Sequence, residues 1–172
     1  MNIHTFLEKT AGDWFSQRTI YDIANNEVDN SKANLSINFL SPTNSQISQQ
    51  CQQYNLNLDL SLGAIKSKWD NSPDWGKPKQ IGDSLMLIFR DDNEDNQGQI
   101  LRILTNKDSL IGKYILAEDE SLTLIIDRDS QYIEERIWFA SDNLRLRNTI
   151  VKNNQQIIQT SFYSEIRRII SN

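Results

Sequence analysis

From residue 13 onward, apolar and polar positions alternate with a period of two over one short segment after another, as half-buried strands do. The first is "DWFSQRTIYDI" (13–23); in "ANLSINFLS" (33–41), Leu35, Ile37 and Phe39 alternate with polar residues. Further strands are expected over "LNLDLSLGAIKSKWD" (56–70), "SLMLIFRDD" (84–92), "GQILRILTN" (98–106) and "GKYILAE" (112–118). Four more follow: "SLTLIIDRD" (121–129), "QYIEERIWFA" (131–140), "NLRLRNTIVK" (143–152) and "QIIQTSFYSEIRRII" (156–170). Two stretches break this period. "NIHTFLEKT" (2–10) sets Ile3, Phe6 and Leu7 at helical spacing, and "TNSQISQQCQQYN" (43–55) has Ser/Thr/Asn caps and few β-branched residues.

The connections are short and rich in turn residues. A polar turn is expected at 25–31, and the acidic run 91–96 reads as a solvated hairpin tip. Ten strands in succession without long helices between them argue for an antiparallel meander. A sheet of that size gains by closing on itself and abolishing its edges. The expected fold is therefore all-β: a ten-stranded up-and-down barrel, with a short N-terminal helix and one short helix between early strands, in one domain spanning 1–172. Gly12-Asp13-Trp14, just after the first helix, resembles the lipocalin and fatty-acid-binding superfamily, in which the Trp plugs one end of the barrel.

Hydrophobic residues make up 38% of the chain, so a partly polar interior is compatible with its composition, and barrels of this size hold one small ligand. The net charge of −5 gives no basic footprint for nucleic acid or an anionic membrane. An anionic small ligand needs only two or three local cations. A single cysteine, Cys51, and a single histidine, His4, argue against a disulfide, a metal centre and serine–histidine catalysis. No apolar run resembles a signal peptide or reaches membrane-spanning length, and the lone cysteine suits a reducing compartment.

Three groups of polar residues stand out. In "WFASDNLRLRNT" (138–149), Arg145, Arg147 and Thr149 share one strand face, and Leu144, Leu146 and Ile150 share the other. In "YIEERIWFA", Glu135 is the odd carboxylate among Ile133, Ile137 and Phe139. Facing inward, it needs a raised pKa or a cationic partner. In the opposite register, Glu134 and Arg136 form an ordinary exposed pair, and alternation alone does not choose between the two. Arg18 shares a face with Trp14 and Ser16, and its structural reading is a guanidinium stacked on Trp14. Trp69 and Trp75 straddle "DNSPD", as rim packing or as a platform for a flat ligand. Cys51 reads as a small packing residue.

"EERIWFASDNLRLRNTIVK" and "TSFYSEIRR" closely resemble the C-terminal signature of the S-type phycobiliprotein lyases, the CpcS/CpeS chromophore lyase family. "AGDWFSQRT" resembles that family's opening strand, "GAIKSKWDNSPDW" its tryptophan-bearing middle and "GKYILAEDESLTLII" its later hairpin, so the likeness runs from about residue 6 to 168. It implies a bilin-binding barrel that takes free phycocyanobilin or phycoerythrobilin as substrate and attaches it by a thioether to a cysteine of an apo-phycobiliprotein subunit. No further cofactor or metal is implied. By resemblance, Glu135 is the interior, catalytic carboxylate. Arg145 and Arg147, with Thr149 beside them, contact the bilin, Trp69 and Trp75 form an aromatic wall, and Arg18 lines the pocket. A homodimer or a heterodimer with a paralogue is implied as well, in a cyanobacterial cytoplasm or an algal plastid stroma. The chain departs from the family pattern at Ile20-Tyr21-Asp22, at Asn148 and at Tyr54, which touches bilin preference and acceptor choice but leaves the arginine pair intact.

The chemistry of such a ligand agrees with these residues. A bilin is long, flat and largely apolar, with two propionates and four pyrrolic nitrogens. It calls for apolar walls, guanidiniums for the propionates and a carboxylate for the N–H groups. A passive bilin or fatty-acid carrier, or the helper subunit of a two-part lyase, would share the same barrel.

Overall fold

The structure, a computed structural model, describes residues 1–92, 94–106 and 108–169. Ten strands, each antiparallel to the next, form a barrel that closes by pairing of the first strand with the last. They are β1 (Gly12–Asp22), β2 (Glu27–Leu40), β3 (Ser61–Asp70), β4 (Ile81–Asp91), β5 (Glu94–Leu104), β6 (Ser109–Leu116), β7 (Leu122–Arg128), β8 (Gln131–Ser141), β9 (Leu144–Asn153) and β10 (Gln156–Arg167). Helix α1 (Ile3–Thr10) precedes β1, and α2 (Ser45–Tyr54) lies between β2 and β3. Among the described residues, no helix is long and apolar enough to cross a membrane.

Helix α1 begins where the Asn2 side chain accepts a hydrogen bond from the Thr5 amide. Ile3, Phe6, Leu7 and Thr10 fall on its buried face and stopper one end of the barrel. The stopper is locked by Trp14, fully buried, whose Nε1 donates to the Thr10 carbonyl at 3.0 Å. Arg167 lies over the Trp14 ring at 4.2 Å and donates to the carbonyls of Ala11 and Lys9, which the ending helix leaves unpaired. Gly12 between them has φ +135°, and a Cβ there would stand 2.5 Å from Arg167 Nη1. The Gly-x-Trp spacing thus serves a plug that needs backbone freedom and a close approach.

Helix α2 packs on the outside of the barrel. Ile47 and Cys51 are buried with Ala64, Leu85, Leu87, Phe89 and Leu101, so β4 is covered on both faces and reads as the run "LMLIF".

Several boundaries differ from the sequence reading. β2 starts at Glu27, inside the stretch expected as a turn, because residues 27–31 pair with β1 although they show no apolar alternation. A short 3-10 turn, Leu58–Leu60, occupies the start of the expected third strand. β4 runs to Asp91 and β5 begins at Glu94, so much of the acidic run is strand. The last strand ends at Arg167, and residue 170 of its expected span lies outside the described residues.

Candidate functional site

The barrel encloses a cavity of about 540 Å³. Phe6, Leu7 and Thr10 of α1 form its floor, and Leu35, Ile37, Ile65, Met86, Leu122, Leu124 and Ile137 its apolar walls. Its mouth lies at the far end, between the start of β2 and the loop 71–80. There Lys77 is held by Asp29 at 3.0 Å and Asp74 at 3.4 Å, tying the loop to β2.

Polar side chains rise from the floor in tiers along β1, β10, β9 and β8. Trp14, Arg145 and Glu165 form the deepest tier. Ladder register brings them together, since Glu165 pairs with Arg145 on one side and Ser16 on the other. Arg145 Nε donates to Glu165 Oε2 at 2.6 Å, and its guanidinium lies 5.0 Å from the Trp14 ring centroid. Arg147 donates to Glu165 Oε1 at 2.9 Å and stacks on the Tyr163 ring at 3.8 Å. Ser16 Oγ lies 3.4 Å from Glu165 Oε1. The Arg147 Nε is buried without a hydrogen-bond partner among the described residues.

Glu135 is the second interior carboxylate, and it is held differently. Arg102 and Arg147 both approach its Oε1, each at 3.6 Å, too far for a hydrogen bond. Glu135 therefore faces the cavity between two guanidiniums, with its acceptor capacity largely unused. Burial pushes its carboxyl up, but Arg102, then Arg147 and Arg145, outweigh burial and hold it below the ordinary carboxylate value. The interior alternative was thus the correct register, with cationic partners in place of a raised pKa. Glu134 and Arg136 point outward: Glu134 accepts from the Tyr132 hydroxyl at 2.6 Å, and Arg136 pairs with Asp119.

Glu165 is likewise pushed up by burial and pulled further down by Arg147 and Arg145. Burial alone would lower Arg147, but Glu165 and Glu135 keep it above its usual value. Arg145 is pulled down by burial against the attraction of Glu165, yet a guanidinium stays charged in proteins.

Arg18 lines the cavity and donates from Nε to Ser31 Oγ at 2.9 Å. The expected stacking of Arg18 on Trp14 does not occur, because Arg145 and Arg167 occupy the ring's surroundings. Trp69 forms part of the wall, and its ring lies over Gly82, the residue across the ladder. A Cβ at Gly82 would fall 2.1 Å from the Trp69 ring.

Two members of the expected set fall outside the cavity lining. Trp75 is 92% exposed in the loop 71–80, so it builds no aromatic wall with Trp69. The loop turns directly after Trp75, at Gly76, with φ +87°. Thr149 keeps the arginine face, across the ladder from Glu135 and Ser161, but is half-buried in the wall. Cys51 is buried on the outer face under α2, where burial raises its thiol pKa. Sequence reasoning missed Glu165 and Arg102. For Arg102 the signal was a single charge between Ile100 and Leu104, the pattern that singled out Glu135; Glu165 shares its face with Arg167 and carries no such signal.

The lining has a charge excess. Four guanidiniums (Arg18, Arg102, Arg145 and Arg147) face two carboxylates, Glu135 and Glu165. At the mouth, Lys32 and Lys77 balance Asp29 and Asp74. The interior is left with two positive charges, in a protein whose net charge is −5. Such a pocket suits an elongated apolar ligand with two anionic groups.

Comparison with known proteins agrees with this geometry. Residues 2–168 match the family model of the CpeS-like proteins. The chain is 34% identical to "Chromophore lyase CpcS/CpeS 1" of Trichodesmium erythraeum, covering 99% of this chain and 100% of that protein. It is also 34% identical to "Chromophore lyase CpcS/CpeS" of Thermosynechococcus vestitus, over 97% of this chain and 93% of the other. Among solved structures, the S-type phycobiliprotein lyase CPES from Guillardia theta superposes with a TM-score of 0.82 at 24% identity, covering 99% of this chain and 95% of that one, and so shares the fold. The chain belongs to the CpeS-like family.

Proposed function

We propose that this protein is a chromophore lyase: it binds free phycocyanobilin or phycoerythrobilin and joins it by a thioether to a cysteine of an apo-phycobiliprotein subunit. The observation that carries the reading is a net excess of two interior positive charges beside a carboxylate, Glu135, that its arginines approach only to 3.6 Å, in one apolar cavity. Two propionates match the excess charge, and pyrrolic N–H groups match the unused oxygens of Glu135. The cavity volume of about 540 Å³ falls within the range of small-molecule sites, roughly 300–1,000 Å³. The names of the relatives, chromophore lyases and in Picosynechococcus a "Phycocyanobilin lyase subunit CpcS", support the same reading. Their cyanobacterial sources support a cyanobacterial cytoplasm as its setting.

In this mechanism Glu135 holds the pyrrolic N–H groups and favours the protonated bilin. Protonation withdraws electron density along the conjugated system and makes the ring A ethylidene a better electrophile. The acceptor's thiol adds across that exocyclic double bond, with sulfur bonding to the ethylidene carbon and a proton to the ring carbon. No oxidant or reductant takes part. The nucleophile belongs to the acceptor, so the chain needs no reactive cysteine, in keeping with Cys51 lying outside the barrel. The barrel contributes by fixing the bilin's shape and presenting ring A in one orientation.

The test is incubation of the protein with free bilin and an apo-subunit, followed by a denaturing gel. Bilin fluorescence on the acceptor band supports a lyase. Colour that survives only in the native mixture identifies a carrier instead.

A further inference from the structure

Arg102 stands apart from the other interior arginines. It projects from β5 on the face shared by Ile100 and Leu104, and lines the cavity with about a fifth of its side chain exposed. A guanidinium carries five N–H donors. The only hydrogen bond that the Arg102 side chain makes among the described residues goes to a thioether, Met86 Sδ, at 3.7 Å. Its nearest carboxylate oxygen, Glu135 Oε1, is 3.6 Å away. The described residues thus supply no oxygen acceptor within hydrogen-bond distance of this side chain.

The contrast with Arg145 is sharp. Arg145 is 3% exposed and committed to Glu165 at 2.6 Å. Arg147 is bound to the same carboxylate at 2.9 Å and covered by Tyr163. A ligand carboxylate reaching either of them meets a guanidinium already paired with Glu165. Of the four cavity-lining guanidiniums, Arg102 and Arg18 have no carboxylate at hydrogen-bond distance among the described residues, and they account for the two excess charges. They project from β5 and β1, separated by three strands one way round the barrel and five the other, so they face each other across the cavity.

We propose that Arg102 is a ligand-binding residue that takes one of the ligand's two carboxylates, opposite Arg18, while Arg145 and Arg147 are held by Glu165 as the fixed wall beside Glu135. The proposal rests on the bilin reading above. It also couples capture of a propionate to the contact with the pyrrolic N–H groups. An incoming carboxylate offers Arg102 a hydrogen-bonded partner in place of the loose approach to Glu135. Arg102 is the strongest of the cationic influences that keep Glu135 acidic, so its engagement elsewhere leaves Glu135 a better acceptor for the pyrrolic N–H groups. Propionate capture at β5 thereby prepares the carboxylate on β8.

The experiment compares binding of phycocyanobilin and its propionate dimethyl ester by the wild type, Arg102→Gln and Arg102→Lys. The wild type should bind the free acid about tenfold or more tightly than the diester, the scale of a lost charge-assisted hydrogen bond. Arg102→Gln should lose about tenfold for the free acid and little for the diester; Arg102→Lys should keep part of the preference. Equal losses for both ligands, or no loss for either, would overturn the assignment and leave the bilin reading standing. A wild type that binds neither ligand would overturn both. Near-UV circular dichroism of each variant distinguishes a misfolded barrel from a lost contact, and in a folded variant the acid-to-ester ratio alone decides.

Discussion

Arg145 Nε donates to Glu165 Oε2 at 2.6 Å, and the two side chains are 3% and 0% exposed. A charge pair so fully enclosed gains Coulomb energy in a weakly polar interior but gives up hydration on both partners. Here the balance is supported by further contacts on each side. Glu165 also accepts from Arg147 and lies near Ser16 Oγ, and Arg145 is near the Trp14 ring. The pair therefore links three neighbouring strands, β1, β10 and β9, to the plugged end of the barrel.

Removing one member should be costly. Glu165→Gln keeps the shape and leaves two buried guanidiniums without their shared counter-charge, and the expected loss is about 3–5 kcal/mol of unfolding free energy. A joint replacement, Arg145→Met with Glu165→Leu, removes the enclosed pair but still leaves Arg147 without Glu165, and should recover only part of that loss. Urea unfolding of Arg145→Met, of Glu165→Leu and of the double variant measures the coupling. Additive losses would show that the pair does not act as a unit.

Acid should reveal the same group. Glu165 and Glu135 both have folded pKa values below the ordinary 4.5, because the surrounding arginines outweigh burial. A depressed folded pKa contributes stability that is fully present above the unfolded value and is lost as pH falls through the folded one. The wild type should thus hold its stability down to about pH 4.5 and lose it progressively below. Glu165→Gln, less stable at neutrality, should show a flatter decline over that acid window. Thermal midpoints measured between pH 3 and 7 check the difference in slope.

At Glu135 the expected effect is on chemistry. Glu135→Gln retains a hydrogen-bond acceptor but lacks the charge that favours protonated pyrroles. The bilin complex should still form, with blunted red absorption, and transfer to the acceptor should slow by about 10²-fold or more, the usual scale for a lost acid–base group. Absorption spectra and initial rates measure this. An unchanged spectrum with an unchanged rate would remove Glu135 from the mechanism.

Most of the barrel was legible because alternation survives wherever one strand face meets a core. Both helices and all ten strands follow from period and spacing, and the plug at Trp14 from the resemblance of Gly12-Asp13-Trp14 to the lipocalin and fatty-acid-binding superfamily. The misread places are those where burial does not alternate. Residues 27–31 are polar on both faces yet pair through their backbone, and residues 94–97 extend a hairpin into solvent. At the site, resemblance singled out Glu135, Arg145, Arg147, Trp69 and Arg18, all of which line the cavity. Glu165 was not singled out, because its importance lies in register: it meets Arg145 only through the pairing of β9 with β10, twenty residues apart in sequence. Trp75 was misplaced because sequence proximity to Trp69 says nothing about which way a loop turns.

The approach of Trp69 to Gly82 gives a prediction that needs no change to a charged group. Trp69 sits on β3 and Gly82 directly across on β4, and the indole fills the space that a side chain at Gly82 would claim. Gly82→Val places branched carbons where the ring now lies, and the nearest ring atom would be only 2.1 Å from the new Cβ. The ring must swing off the strand pair, because overpacking is relieved most cheaply through the more mobile side chain at the mouth. Trp69 is 38% exposed, so the displaced ring costs little in core packing, and the unfolding free energy should fall by only about 1–2 kcal/mol. Bilin affinity should fall more, to the level of Trp69→Ala, because both variants remove the same aromatic wall. Titration with phycocyanobilin, followed by tryptophan quenching and bilin absorption, compares the two. Gly82→Val with wild-type affinity would mean that the indole is no part of the ligand's wall.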